Sequence, residues 1–170
     1  MARVVHQGAV IPLNELIEQG PLVEVSFRPH PVDIEALASE GVAWEPIVHQ
    51  MMIDTGAQVT IVEEAIPQFL SLVPTRYQAI GGVTGDLNCP VYRLGITIIG
   101  RDDDGVEKAI QFSADVVAVP PVADVARPHV GLLGRDFLQY VRFEYDDPHG
   151  VFRIVDEQVR RAEERVTHTK

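Results

Sequence analysis

Met51-Met52-Ile53-Asp54-Thr55-Gly56-Ala57-Gln58-Val59-Thr60-Ile61-Val62 is the stretch that decides how this chain folds. An apolar run ends in a carboxylate, a glycine two residues later permits a tight turn, and a second β-branched run begins at Val59. A carboxylate so placed stands at the end of a buried strand, on a loop whose flanks resist movement. An ordinary turn aspartate after a strand has the same local chemistry. The tripeptide Asp54-Thr55-Gly56 is a weak signal by itself, so its surroundings have to decide.

Outward from this stretch, proline and glycine punctuate short runs rich in Val, Ile and Leu, and segments of helical period are few. The reading is mostly β. Leu22 to Phe27 alternates as a strand with one buried face, stopped by Pro29 and Pro31. Asp33 to Ser39 suits a short helix with Asp33 near its N-cap and Gly41 past its end. Ile47 to Ile53 is the strand entering Asp54, and Val59 to Val62 the strand after it. Glu63-Glu64-Ala65 then opens a brief polar or helical connection ended by Pro67.

Ile80-Gly81-Gly82-Val83-Thr84-Gly85 is a glycine-rich segment between two strand-like runs, which predicts a mobile hairpin tip. Tyr92 to Ile99 and Val106 to Val119 are strands joined by the turn Arg101-Asp102-Asp103-Asp104-Gly105. Val130 to Gly134 is a further strand, leading into a short helix at Arg135-Asp136-Phe137-Leu138. Val141 to Tyr145 and Val151 to Val155 flank a second turn-marked hairpin at Asp146-Asp147-Pro148-His149-Gly150. The residues from Asp156 to Lys170 are nearly all polar and are expected to fray as a helix or be disordered.

At 170 residues the chain suits one domain, with a core over about 21–155 and a polar tail over 156–170. Hydrophobic residues at 46% and charged residues at 23% are the proportions of a compact globular protein. Fourteen basic residues against twenty-five acidic ones give a formal charge of -11, a field that repels phosphate backbones. Nucleic acid is therefore not an expected partner. Neither a secretory h-region nor a run long enough to span a bilayer is present, which leaves the cytoplasm as the default compartment and no membrane partner. The single cysteine, Cys89, forms no internal disulfide and agrees with a reducing compartment. The six histidines lack metal-ligand spacing, Asp102 to Asp104 lacks the other ligands of a calcium loop, and no Gly-Lys-Ser/Thr follows either glycine-rich stretch. No metal or cofactor is expected.

The Asp54 stretch, the glycine-rich hairpin and the run Gly131-Leu132-Leu133-Gly134-Arg135-Asp136-Phe137-Leu138, in that order, resemble the retropepsin family of single-domain retroviral-type aspartic proteases. The resemblance covers about Pro21 to Tyr145 and is most specific over Met51 to Glu64, Ile80 to Gly85 and Val130 to Leu138. It implies a closed β-barrel-like acid protease domain with one or two short helices, and the activity of an aspartic endopeptidase needing no cofactor.

Residue by residue, the resemblance makes Asp54 the catalytic aspartate. It makes Thr55 the hydroxyl that braces two active-site loops, Gly56 the glycine whose backbone faces substrate, and Arg135 a support of the active-site loop. Ala57, Gln58, Ile80, Gly81, Gly82, Val83 and Leu132 fall at substrate-binding positions, with Ile80 to Gly85 as a flap and Leu132 shaping a specificity pocket. Gln58 stands where retroviral members often carry a second aspartate, so a polar contact to substrate and to the supporting Arg is lost or replaced.

Peptide hydrolysis by this route needs two carboxylates sharing one proton, and the chain holds one Asp-Thr-Gly. The expected partners are thus a second identical chain, giving a homodimer with Asp54 from each subunit, and a peptide or protein substrate. A rival reading of the same fold is a non-catalytic dimeric peptide-binding module, or a domain that processes only its own precursor.

Overall fold

A computed structural model describes residues 3–7, 19–82, 85–101, 106–121, 127–146 and 151–156. Ten strands and three short helices follow one another in these residues. They are β1 (Arg3–Gln7), β2 (Leu22–Pro29), α1 (Pro31–Ser39), β3 (Ile47–Ile53), β4 (Ile61–Glu63), α2 (Ala65–Phe69), β5 (Arg76–Gly82) and β6 (Gly85–Arg101). β7 (Glu107–Val119), β8 (Gly131–Leu133), α3 (Arg135–Leu138), β9 (Val141–Asp146) and β10 (Val151–Asp156) complete the order.

Six strands, in the order β2-β3-β8-β4-β7-β6, close into a barrel because β2 pairs with β6 as well as with β3. Closure removes two free edges that would otherwise invite pairing with another chain. β5 lies outside the ring and pairs with the first half of β6, whose second half is barrel wall. The pairing of β5 with β6 runs to Gly82 opposite Gly85, so their hairpin stands out from the barrel. Val83 and Thr84, the expected tip, lie outside the described residues, as do the turn at 102–105 and the tail from 157.

The alternation in Leu22 to Phe27 becomes burial: Val23, Val25 and Phe27 are fully enclosed while Glu24 faces solvent. Their partners inside the barrel include Met51, Leu94, Ile96, Ile98 and Leu133. Each large apolar side chain so enclosed stabilises the fold by roughly 1.5–3 kcal/mol. Phe137 of α3 and Phe152 and Ile154 of β10 join the same cluster, and Phe137 stacks on Phe112 of β7 with ring centroids 4.8 Å apart. α3 is therefore packed down on the barrel, which fixes the position of the residues around it.

Four local details differ from the sequence reading. The strand expected over Val59 to Val62 is β4 at Ile61–Glu63, because Val59 and Thr60 are held in a loop by the β8–α3 segment. α1 starts two residues early, with His30 rather than Asp33 as its cap: Pro31, lacking an N–H, occupies the first turn and His30 Nδ1 accepts from the Val32 N–H at 3.3 Å. Pro67 lies inside α2 and does not end it, since in the first turn its missing N–H has no intrahelical partner to lose. β1 was not expected at all; it pairs antiparallel with β10, making a three-stranded sheet β1-β10-β9.

Candidate active site

Asp54 is the first residue beyond β3. Its backbone N–H donates to the Leu133 carbonyl at 3.0 Å, continuing the parallel pairing of β3 with β8 into the turn. The chain then reverses tightly. The Gly56 N–H donates to Asp54 Oδ1 at 2.8 Å and the Ala57 N–H to the Asp54 carbonyl at 3.3 Å. The first of these bonds fixes the carboxylate against its own loop, as in an Asx turn. A Cβ on Gly56 would come 3.1 Å from Asp54 Oδ1, so glycine leaves the carboxylate its place.

The far end of this loop is fastened to the start of α3. The Arg135 N–H donates to the Ala57 carbonyl at 3.0 Å, and the Asp136 carboxylate accepts from the Thr60 N–H and the Thr60 hydroxyl, each at 2.8 Å. The Gly134 N–H reaches Thr60 Oγ1 at 3.3 Å. Gly131 and Gly134 make this close approach possible. A Cβ at Gly131 would fall on the Ile61 carbonyl oxygen, and one at Gly134 would lie 2.6 Å from the Val59 carbonyl. Asp54 is thus carried on a loop tied at both ends to one rigid segment.

Loop, β5 and α3 together border a cleft of about 400 Å³, lined among others by Gly56, Ala57, Gln58, Ile80, Gly81 and Arg135. Six residues singled out in the sequence therefore meet at one cleft. Asp54 itself is half-buried and does not line this cleft, which begins two residues further along the loop at Gly56, and Thr55 is exposed beside it. Gly82 is the last residue of β5, while Val83 lies outside the described residues. Leu132 lines a different cavity, of about 190 Å³, with Val119, Glu63, Arg127 and His129. Ile61 borders both spaces.

The wall between β5 and the barrel is apolar. Cys89, Val91 and Val117 are buried there, with Val59, Ile61 and Ile80 packed on them. Burial pushes the Cys89 thiol above its ordinary range, and the Glu64 carboxylate adds to the effect. His129 is held below the usual imidazole range, first by burial and then by the Arg127 charge. Among the described residues no cluster of His, Cys, Asp and Glu suits a metal ion. No helix there is long and apolar enough to cross a membrane.

No protein-family model and no protein of curated function matches the chain by sequence. Solved structures similar to it include the solution structure of the simian foamy virus (mac) protease, 18% identical over 71% of this chain and 93% of its own, with a TM-score of 0.39. The EIAV protease complexed with the inhibitor HBY-793 is 26% identical over 54% of this chain and 75% of its own, with a TM-score of 0.32. A retropepsin-like aspartic protease from Rickettsia conorii is 12% identical over 80% of this chain and 92% of its own, with a TM-score of 0.39. The deciding feature is the chain's own arrangement, in which the Asp-Thr-Gly loop leaves one strand of a closed six-strand barrel and is locked to the β8–α3 segment beneath an outlying hairpin. The fold is retropepsin-like.

Within the retropepsin-like fold, two residues that sequence reasoning passed over do much of the positioning. The Arg135 backbone N–H bonds the loop at the Ala57 carbonyl, while its side chain is exposed at the cleft. The side-chain clamp is Asp136 on Thr60, and Thr60 is the one fully buried polar residue among those described. A hydroxyl six residues beyond Asp54, inside an otherwise apolar β-branched run, was the available signal. Its partner is 76 positions away, and no local pattern names it.

Proposed function

We propose that the chain is an aspartic endopeptidase that works as a homodimer, with Asp54 of each subunit forming the catalytic pair. The observation that carries this reading is the Asp54 carboxylate, fixed by the Gly56 N–H on a loop tied at both ends and opening beside a cleft large enough for peptide side chains. No carboxylate lines that cleft among its described residues, and the nearby Asp136 is engaged with Thr60. A dyad therefore requires a second copy of the loop.

Two carboxylates brought together cannot both ionise, so the pair holds one shared proton. The ionised member takes a proton from water as the oxygen attacks the scissile carbonyl carbon, and the protonated member donates to the carbonyl oxygen. The tetrahedral diol then collapses: the C–N bond breaks, the amine nitrogen gains a proton, and the dyad returns to its one-proton state. Thr55, exposed next to Asp54, braces one loop against its partner across the two-fold axis. Gly56, Ala57, Gln58, Ile80 and Gly81 contact the peptide in the cleft they line, and Leu132 receives an apolar side chain in the second cavity. The β5–β6 hairpin closes over the substrate as a flap and excludes water.

The test is cleavage of a diverse peptide library with and without a statine-type aspartic-protease inhibitor, together with native mass. Inhibitor-sensitive cutting by a species of twice the chain mass is expected. A monomeric mass with no inhibitor-sensitive cutting would leave a peptide-binding module of the same fold as the better reading.

A further inference from the structure

The cleft beside the Asp54 loop carries a single charged side chain on its described lining, and it is a cation in a chain of formal charge -11. Gln58 and Gln78 are neutral amides, Gly56, Ala57, Ile80 and Gly81 are uncharged, and Arg135 supplies the guanidinium. We infer that Arg135 selects an acidic side chain in the substrate, a specificity that rests on the peptidase reading above.

Three observations support it. The carboxylate next to Arg135 in sequence is spent: Asp136 accepts from the Thr60 N–H, the Thr60 hydroxyl and the Phe137 N–H. Among the described residues Arg76 and Arg93 form ion pairs with Asp115 and Arg142 with Glu144, none of which neutralises Arg135. Arg135 is also exposed, so its guanidinium keeps its donors for a ligand. An incoming carboxylate can take two of them side by side, the geometry in which arginine binds best. Gln78 adds a neutral donor, since its Oε1 accepts from Arg76 Nη1 at 3.1 Å and leaves its amide N–H groups for other partners. The backbone N–H of Arg135 is two hydrogen bonds from Asp54, through Ala57, so Arg135 and the Asp54 loop belong to one hydrogen-bonded unit.

The net charge of the chain argues the opposite preference, because a field of this sign attracts basic peptides. At 0.15 M salt that long-range field is screened over about 8 Å, while contact between a guanidinium and a carboxylate is not. The two effects thus separate cleanly in experiment.

Peptides cut by the wild-type protein are varied one position at a time among Glu, Gln and Lys and compared in competition at 0.15 M salt. At one position Glu is expected to exceed Gln in kcat/KM by about three- to tenfold, the range for a partly exposed charged hydrogen bond. Arg135→Glu should invert the order to favour Lys there, and Arg135→Lys should keep the preference for Glu. If Arg135→Glu does not fold, Arg135→Gln should erase the difference between Glu and Gln. The same peptides titrated onto Asp54→Asn by fluorescence anisotropy read recognition without turnover. Preferential binding of Glu peptides there supports the inference even if nothing is cut, in which case it is the peptidase reading that has failed. Equal handling of Glu and Gln by the wild type overturns the inference, and so does an Arg135 variant that lowers activity on all peptides alike, which would make the residue a loop support only.

Discussion

The Asp136 carboxylate holds Thr60 by two hydrogen bonds of 2.8 Å, one to its backbone N–H and one to its hydroxyl. This pair, joining the loop after Asp54 to the start of α3, is the anchor that keeps the candidate active-site loop in one conformation. Asp136→Ala leaves the Thr60 N–H and hydroxyl buried without an acceptor, at a cost of about 2–4 kcal/mol in stability. Thr60→Val removes the hydroxyl alone and should cost less, about 1–3 kcal/mol. Urea denaturation checks both values, and an Asp136→Ala protein as stable as the wild type would contradict the anchor.

Gly131 and Gly134 are where β8 and the turn after it run against the backbone of the Asp54 loop and β4. Gly131→Ala drives a methyl group into the Ile61 carbonyl, a backbone atom that cannot swing aside, and β4 must part from β8. The expected loss exceeds about 3 kcal/mol, enough to leave much of the protein unfolded. Gly41→Ala gives the comparison, because a Cβ there meets nothing within 4 Å and the cost is only that of its positive φ. Equal melting temperatures for the two variants would refute the close-approach argument.

Cys89 is 1% exposed, in the apolar wall that Ile80 of β5 covers. With burial raising the thiol above its ordinary range, little thiolate forms and a reagent reaches it only when the structure opens. Reaction with a disulfide reagent at pH 8 should be at least about 100-fold slower in the folded protein than in urea. A peptide occupying the cleft should slow it further. Rapid labelling of the native protein would show that the hairpin does not seal this wall.

The His129 imidazole lies in a wall shared by two cavities, and its Nδ1 has no hydrogen-bond partner among the described residues. Burial, followed by the Arg127 charge, lowers its pKa, while a backbone bond with Gly131 and the Glu63 carboxylate pull weakly the other way. Glu24 and His49 face it across the second cavity. Because the folded state binds this proton less readily than the unfolded chain, stability falls as pH drops from about 6.5 toward the lower folded value. Above that window the group contributes no pH dependence. His129→Gln should flatten the stability profile below about pH 6.5. An unchanged slope would show that the histidine is not held neutral.

Much of this architecture was legible in the sequence because the signals are local. Alternation in Leu22 to Phe27 maps directly onto the buried Val23, Val25 and Phe27, and β6 pairs with β7 and β9 with β10 as the apolar runs on either side of the turn-rich segments predict. The strand into Asp54 and the short helix at Arg135 were readable from composition and order, whereas the cleft neighbours Ala57, Ile80 and Gly81 were indicated by the family resemblance. Long-range pairings were not. β1 is a five-residue run whose role exists only because β10 arrives more than a hundred positions later. The shortening of β4 has the same origin: Val59 and Thr60 have strand propensity, but the Asp136 clamp and the crowding at Gly134 override it. The resemblance assigns the supporting role to Arg135, whereas the carboxylate beside it makes the side-chain bonds to the loop.

A titration of mixed chains tests the central claim most directly. Wild type and Asp54→Asn chains, mixed in varying ratio at fixed total concentration and allowed to exchange, are assayed on one cleavable peptide. If each dyad needs Asp54 from two subunits, activity follows the square of the wild-type fraction, so an equal mixture retains about a quarter of the starting rate. Activity falling in simple proportion to the wild-type fraction, with about half remaining in that mixture, would mean that each chain acts alone and would contradict the account.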